Sequence, residues 1–308
     1  MEEEGAVGES EEEEEGAVVD VGVSDSEEEL EVLQQPNLIQ KLADVVRLRN
    51  LDGTATSWLE ANWMFFSWAF ALFGFGALAA RFHSHGPHWF GWLAVAMYCL
   101  HQSEEHAYDV RGWRYAFVPA MNQGTGSTLF GAACNGGDVN CPLDPKLTLW
   151  VNTVAIWGGF GGCMIAATID ADRFLFASTL NWGTAVVNGF GGHLLQVVLS
   201  GSYNPGSVQS AVMVPLGLYI IFHSQRPKLC LVYGLVFHIL AFGVGINLVL
   251  RAGFPETPTT IAMNLLASLV LPLAISALYA RHPPSHYSDM KLVKKVSKQW
   301  KEDLTVLG

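Results

Sequence analysis

From about residue 60 onward the chain is a succession of long apolar runs separated by short polar turns. Each run has about 20 residues, enough for a helix to cross a hydrocarbon core of roughly 30 Å. The runs lie at 62–80, 88–107, 147–168, 174–200, 208–223, 229–250 and 260–280. The fifth is short and suits a tilted or partly re-entrant segment. None alternates with the period of two that a barrel strand needs, and lipid admits only helices or closed barrels. The pattern predicts an all-α fold: a polytopic helical membrane protein of about seven transmembrane helices, with six to eight compatible.

Composition agrees with that reading. Of 308 residues, 50% are hydrophobic and only 15% charged, against about 25% in soluble domains. This composition argues against a soluble globular enzyme and against a nucleic-acid binder, which needs a basic surface. The net charge of −12 is unevenly placed. Residues 1–40 hold 15 of the 29 acids and no Lys or Arg, whereas 41–308 carries 14 acids and 17 bases. Dense like charge with few large apolar groups cannot offset chain entropy. The expected domains are therefore a disordered acidic tail at 1–40, a helical transmembrane domain at 41–283 and a basic carboxy-terminal tail at 284–308. The leader lacks the marks of a signal or transit peptide.

Short loops carry Arg and Lys on both faces and do not set the orientation. The carboxy-terminal tail, with Arg281, Lys291, Lys294, Lys295, Lys298 and Lys301, does. By the positive-inside rule it is cytosolic. Seven spans would then put the acidic leader outside, in conflict with either the count or the orientation. The endoplasmic reticulum or another endomembrane is the expected location. Cys99, Cys163 and Cys230 fall in or beside apolar runs and read as small core residues. Cys134 and Cys141 share the long loop 108–146, where a disulfide is expected if the loop faces an oxidising lumen.

Ionisable groups at membrane depth cost about 2.5–3.5 kcal/mol each, so they mark function. The second run ends His101-Gln102-Ser103-Glu104-Glu105-His106-Ala107-Tyr108. At 100° per residue, His101, Glu104, Glu105 and Tyr108 share one face within about 60°, and His106 points elsewhere. One imidazole with two carboxylates can make a metal half-site, a proton relay or an acid/base pair. The fourth run carries Asn188, His193 and then Tyr203-Asn204-Pro205-Gly206, which should end the helix. Alternate spans run the same way, so His193 and His101 sit at similar depth, each about six or seven residues from its helix end.

Asn62, Asn122, Asn152, Asn247 and Asn264 fall on the same side and suggest a polar cavity opening there. His238 is either a third imidazole for that site or a histidine hydrogen-bonded between helices. His83, His85 and His88 form a second cluster in the first loop. About 20 Å of helix separates it from His101, so the two clusters cannot share an ion.

The run His101-Gln102-Ser103-Glu104-Glu105 resembles the motif of the HxxEE family of integral membrane proteins. The blocks at Asn122, at Asn188 with His193, and at Tyr203-Asn204-Pro205-Gly206 extend the resemblance over roughly 90–225. The chain departs from that pattern in carrying His106 directly after the glutamates. The resemblance implies a membrane site and no particular substrate.

These residues point first to a membrane-embedded enzyme acting on a lipophilic small molecule, an isomerase, hydratase or hydrolase. Glu104, Glu105, Tyr108 and Asn188 are its candidate catalytic residues. A divalent metal (Zn, Fe or Mn) is its candidate cofactor, held by His101, Glu105, His193 and His238. The alternative is a proton-coupled transporter or channel that uses the same Glu/His cluster as a relay. A structural subunit is a third, disfavoured because two adjacent intramembrane glutamates cost too much. The expected partners are the lipid bilayer and the lipophilic substrate. No phosphate loop or dinucleotide fingerprint is present.

Overall fold

The structure is a computed structural model that describes residues 48–81, 86–134, 140–224 and 226–281. The acidic leader, the basic carboxy-terminal tail at 284–308, and His83 and His85 lie outside the described residues. Among those described there are seven long helices and no strand. They are α1 (Trp58–Ala80), α2 (Pro87–Gln102, continued by a wide π-helical turn Ser103–Ala107), α3 (Pro145–Ile169), α4 (Ala171–Val187, continued through the π-turn Asn188–Leu194 to Ser200), α5 (Ser207–Phe222), α6 (Pro227–Leu250) and α7 (Glu256–Ala280).

Local chemistry sets their starts. Ser57 caps α1 in a reciprocal box: its hydroxyl accepts from the Glu60 amide at 3.3 Å, and its own amide donates to Glu60 Oε2 at 2.6 Å. Asp144 caps α3 by accepting from the Leu147 amide at 2.7 Å, with Pro145 in the first turn, where its missing N–H costs nothing. Asp170 does the same for α4 through the Arg173 amide.

The sequence pattern predicts about seven spans. Four helices have both the length and the apolarity to cross a membrane: α1, α3, α6 and α7. α5 is apolar but shorter. α2 and α4 are long enough, yet they carry His101, Glu104, Glu105, Asn188 and His193, and these polar groups dilute the apolar signal.

α4 is the centre of the bundle and packs against α2, α3, α5, α6 and α7. Its middle, from Ala177 through Val186, is buried on nearly every side except at Thr179. The main core joins Tyr98 of α2, Phe160 of α3, Trp182 of α4, Met213 of α5, and Tyr233 and Phe237 of α6. Large apolar side chains such as Phe73, Ile169, Val198 and Ile239 face outward. A second cluster, with Trp63, Tyr115, Val118, Leu143 and Leu147, seats the loop between α2 and α3. Within that loop Asn122 clamps Leu143 through both its amide nitrogen and its oxygen. Cys134 and Cys141 form a disulfide, and Cys99, Cys163 and Cys230 are buried and free.

The α4–α6 crossing is backbone on backbone. A Cβ on Gly183 would stand 1.9 Å from the Cys230 carbonyl oxygen, and one on Gly234 would stand 2.4 Å from that of Gly183. Small residues are what allow helices to approach this closely in a membrane. Gly183→Ala is expected to destabilise the bundle by about 1–3 kcal/mol through overpacking. It should lower the melting temperature of detergent-purified protein, whereas Gly76→Ala, where a Cβ meets nothing within 4 Å, should not.

Candidate functional site

The end of α2 delivers the site. His101 and Glu105 stand one turn apart, with His101 Nε2 3.3 Å from Glu105 Oε1. From α4, His193 brings Nε2 to 3.0 Å from the same oxygen. The two imidazoles meet edge to face, with ring centroids 4.6 Å apart. His101 and His193 are fully buried and Glu105 is 4% exposed. One potential ligand atom from each of the three lies within 4.8 Å of the others. His101 and His193, expected at similar depth, are in direct contact through their rings.

The π-turns place these groups. The Tyr108 amide donates to the Ser103 carbonyl at 3.1 Å, five residues back, which widens the last turn of α2. Such turns recur at functional sites. The widening corrects the face predicted at 100° per residue. Tyr108 leaves the helix in an extended conformation, 38% exposed, and packs against Phe65 and Arg114 away from the imidazoles. His106, expected to point elsewhere, instead lies with Nε2 3.5 Å from Glu105 Oε2 and 3.3 Å from Asn152 Nδ2. Trp63, Tyr115 and Phe117 enclose its ring. An unmarked π-turn cannot be read from helical periodicity, so His106 was not legible as a site residue.

Glu104 also turns away from the histidines. Its carboxylate accepts from the Tyr203 hydroxyl at 2.9 Å and from the Val208 and Gln209 amides at 3.1 and 2.8 Å, at the start of α5. Burial, and then the Glu104 carboxylate, push the Tyr203 phenol above its usual range, so it stays protonated and donates.

His193 is held from behind. Its Nδ1 lies 2.7 Å from the Pro205 carbonyl oxygen and 2.9 Å from Asn204 Oδ1. Both are acceptors, so Nδ1 donates to them, and Nε2 is the nitrogen turned to Glu105. Asn188 Nδ2 lies 3.1 Å from His101 Nε2 and 3.5 Å from His193 Nε2, bridging the imidazoles. His238 stands behind Asn188, its Nε2 3.3 Å from Asn188 Oδ1 and its Nδ1 donating to the Gly234 carbonyl at 2.7 Å. The three-residue group does not include it.

Of the other asparagines predicted to line a cavity, Asn152 reaches the site, and Asn122 holds the loop instead. Asn62, Asn247 and Asn264 each donate to a carbonyl four residues back in their own helix. His88 faces the Ala167 carbonyl at 3.0 Å.

A cavity of about 40 Å³ adjoins Glu105. Tyr98, Glu105, His106, Thr148, Asn152 and Asn188 supply its polar lining, and Phe117, Leu147 and Phe242 are among its apolar walls. A water needs about 10–15 Å³ on this measure, so there is room for a small polar group or a few waters. Thr148 Oγ1 and His106 Nδ1 are buried with no hydrogen-bond partner among the described residues. Buried polar atoms are rarely left so, and here they belong to residues lining a space that could supply the partner.

The donor set suits a divalent ion. Ligands about 2.1 Å from a tetrahedral centre stand about 3.4 Å apart, close to the 3.0 and 3.3 Å observed. A ligating imidazole ordinarily donates its other N–H to a carbonyl or carboxylate, as His193 does to Pro205.

Residues 92–220, from within α2 to within α5, match the family model described as a protein of unknown function with HXXEE motif. The matched stretch contains all three residues of the group. No curated protein and no solved structure matches the chain.

Gly206 lies flat against both imidazoles. Its φ is +92°, and a Cβ there would meet His193 Nδ1 at 2.8 Å and His101 Cε1 at 2.9 Å. Gly206→Ala is expected to displace both rings while also straining the backbone, at about 1–3 kcal/mol. A fall in melting temperature, with loss of the slowly exchanging His193 ring proton in NMR spectra, would report it.

Proposed function

We propose that this protein is a membrane-embedded, metal-dependent enzyme acting on a lipophilic small molecule. His101, Glu105 and His193 are the ligands of a divalent ion, Zn, Fe or Mn. The convergence of two buried imidazole nitrogens on one carboxylate oxygen carries this reading. Such a constellation needs either a shared proton or a cation to be stable in a dry interior. When bound, the ion supplies Lewis-acid chemistry toward a carbonyl or a water.

The chain's own groups do the rest. Glu105 Oε2 faces His106 and the cavity, where the carboxylate and the imidazole can exchange a proton with a reacting group. Asn152 orients His106. Asn188 lies against the imidazoles and lines the same space. Phe117, Leu147 and Phe242 exclude water around that end of the substrate. Isomerisation, hydration and hydrolysis all fit this set. Glu104 and Tyr108 stand outside the chemistry.

In this reading all seven helices cross the bilayer, including α2 and α4, whose polar groups are satisfied inside the bundle. The carboxy-terminal lysines face the cytosol by the positive-inside rule. The Cys134–Cys141 disulfide, on the loop that follows the motif, then faces an oxidising lumen, which supports an endomembrane location.

A proton-coupled transporter or channel is the second reading. It is favoured by the run of titratable groups from His193 through Glu105 to His106, which could pass a proton.

Detergent-purified protein, prepared without chelators, is expected to hold near-stoichiometric Zn, Fe or Mn by mass spectrometry. His101→Ala and His193→Ala should each remove it while leaving a folded protein. A metal-free, well-folded wild type would end the metalloenzyme account. Glu105-dependent proton flux in liposomes would then establish the relay.

A further inference from the structure

We propose that Glu104 is a positioning residue: it braces the Tyr203–Gln209 turn, and that turn holds the His193 ring so that Nε2 faces Glu105. α5 begins immediately after Gly206, which has no side chain to cap it. A capping Ser or Asp at this position would collide with both imidazoles, as the 2.7 Å approach of a Cβ to His193 Cε1 shows. The orphan amides that open any helix therefore need a partner from elsewhere. Glu104 supplies it, with one carboxylate oxygen on the Val208 amide and the other on that of Gln209. A carboxylate at a helix amino terminus also meets the favourable end of the helix dipole.

The Tyr203 hydroxyl adds a third bond from the opposite end of the turn. Glu104 thus grips Asn204-Pro205-Gly206 from both sides. Those are the residues that receive the His193 Nδ1 proton, through the Pro205 carbonyl at 2.7 Å and Asn204 Oδ1 at 2.9 Å. The two glutamates of the motif divide the work: Glu105 faces the imidazoles, and Glu104 sets the orientation of one of them through the turn. This inference shares His193 with the proposed metal site, but it concerns the ring's orientation and holds for metal-free protein.

The test is long-range proton–nitrogen NMR of full-length, ¹⁵N-histidine-labelled protein in detergent, stripped of metal with a chelator. His193→Ala and His238→Ala spectra assign the signals. His238 is an internal control, because its Nδ1 bonds to Gly234 within its own helix and not to the turn. Wild type should show a slowly exchanging Nδ1 proton on both rings. Glu104→Ala should speed exchange of the His193 Nδ1 proton by about tenfold, as loss of charge-assisted hydrogen bonds implies, with His238 unchanged. An unaltered His193 beside an unaltered His238 would overturn the proposal. If Glu104→Ala loses both signals, Tyr203→Phe decides, since it removes one brace only. Faster His193 exchange with His238 intact supports the proposal, and no change overturns it. Absence of metal from the native protein would leave this result untouched.

Discussion

A carboxylate buried among three imidazoles is the constraint around which this bundle is organised. Each ionisable group at membrane depth costs about 2.5–3.5 kcal/mol unless it finds partners. The motif places two glutamates side by side, where like charges would make that cost worse. The fold separates them. Glu105 meets His101, His193 and His106. Glu104 meets a hydroxyl and two amides on another helix. Adjacent residues can do this because the π-turn at Ser103–Ala107 widens the helix where they sit.

That arrangement requires α4 to be central. His193 can reach Glu105 only if α4 packs closely on its neighbours, and at its crossing with α6 the backbone contact of Gly183 with Cys230 sets the approach. Beyond His193 the chain must reverse within a few residues and still place a carbonyl behind the ring. Gly206, in a left-handed conformation, makes the turn and leaves room for both imidazoles. The absence of a side chain at that glycine leaves α5 without its own cap, and Glu104 fills the role. Packing, turn geometry and site chemistry therefore bear on the same few residues.

Much of the helical framework was legible in the sequence. The run expected at 88–107 is Pro87 through Ala107, and that at 229–250 is Pro227 through Leu250, because apolar run length reports helices directly. The pairing of His101 with His193 was legible from their matching distances to helix ends. Spanning character was less so, since α2 and α4 trade apolar residues for polar ones. The inward turn of His106 and the departure of Tyr108 were not legible, because periodicity assumes a regular helix and the π-turn breaks it. Glu104 looked like a second site carboxylate because its partners lie a hundred positions away, in a turn whose sequence signals only a helix end. His238 resembled a ligand by depth alone, and Asn188 stands between it and the other imidazoles.

X-ray absorption at the metal edge tests the central claim most directly, because it reads the ligands themselves in the membrane protein as purified. The account predicts two imidazole nitrogens and a carboxylate oxygen at about 2.0–2.2 Å, with one imidazole lost in His193→Ala. An ion bound by cysteine sulfur, or by water oxygens alone, would place the metal elsewhere and contradict the account.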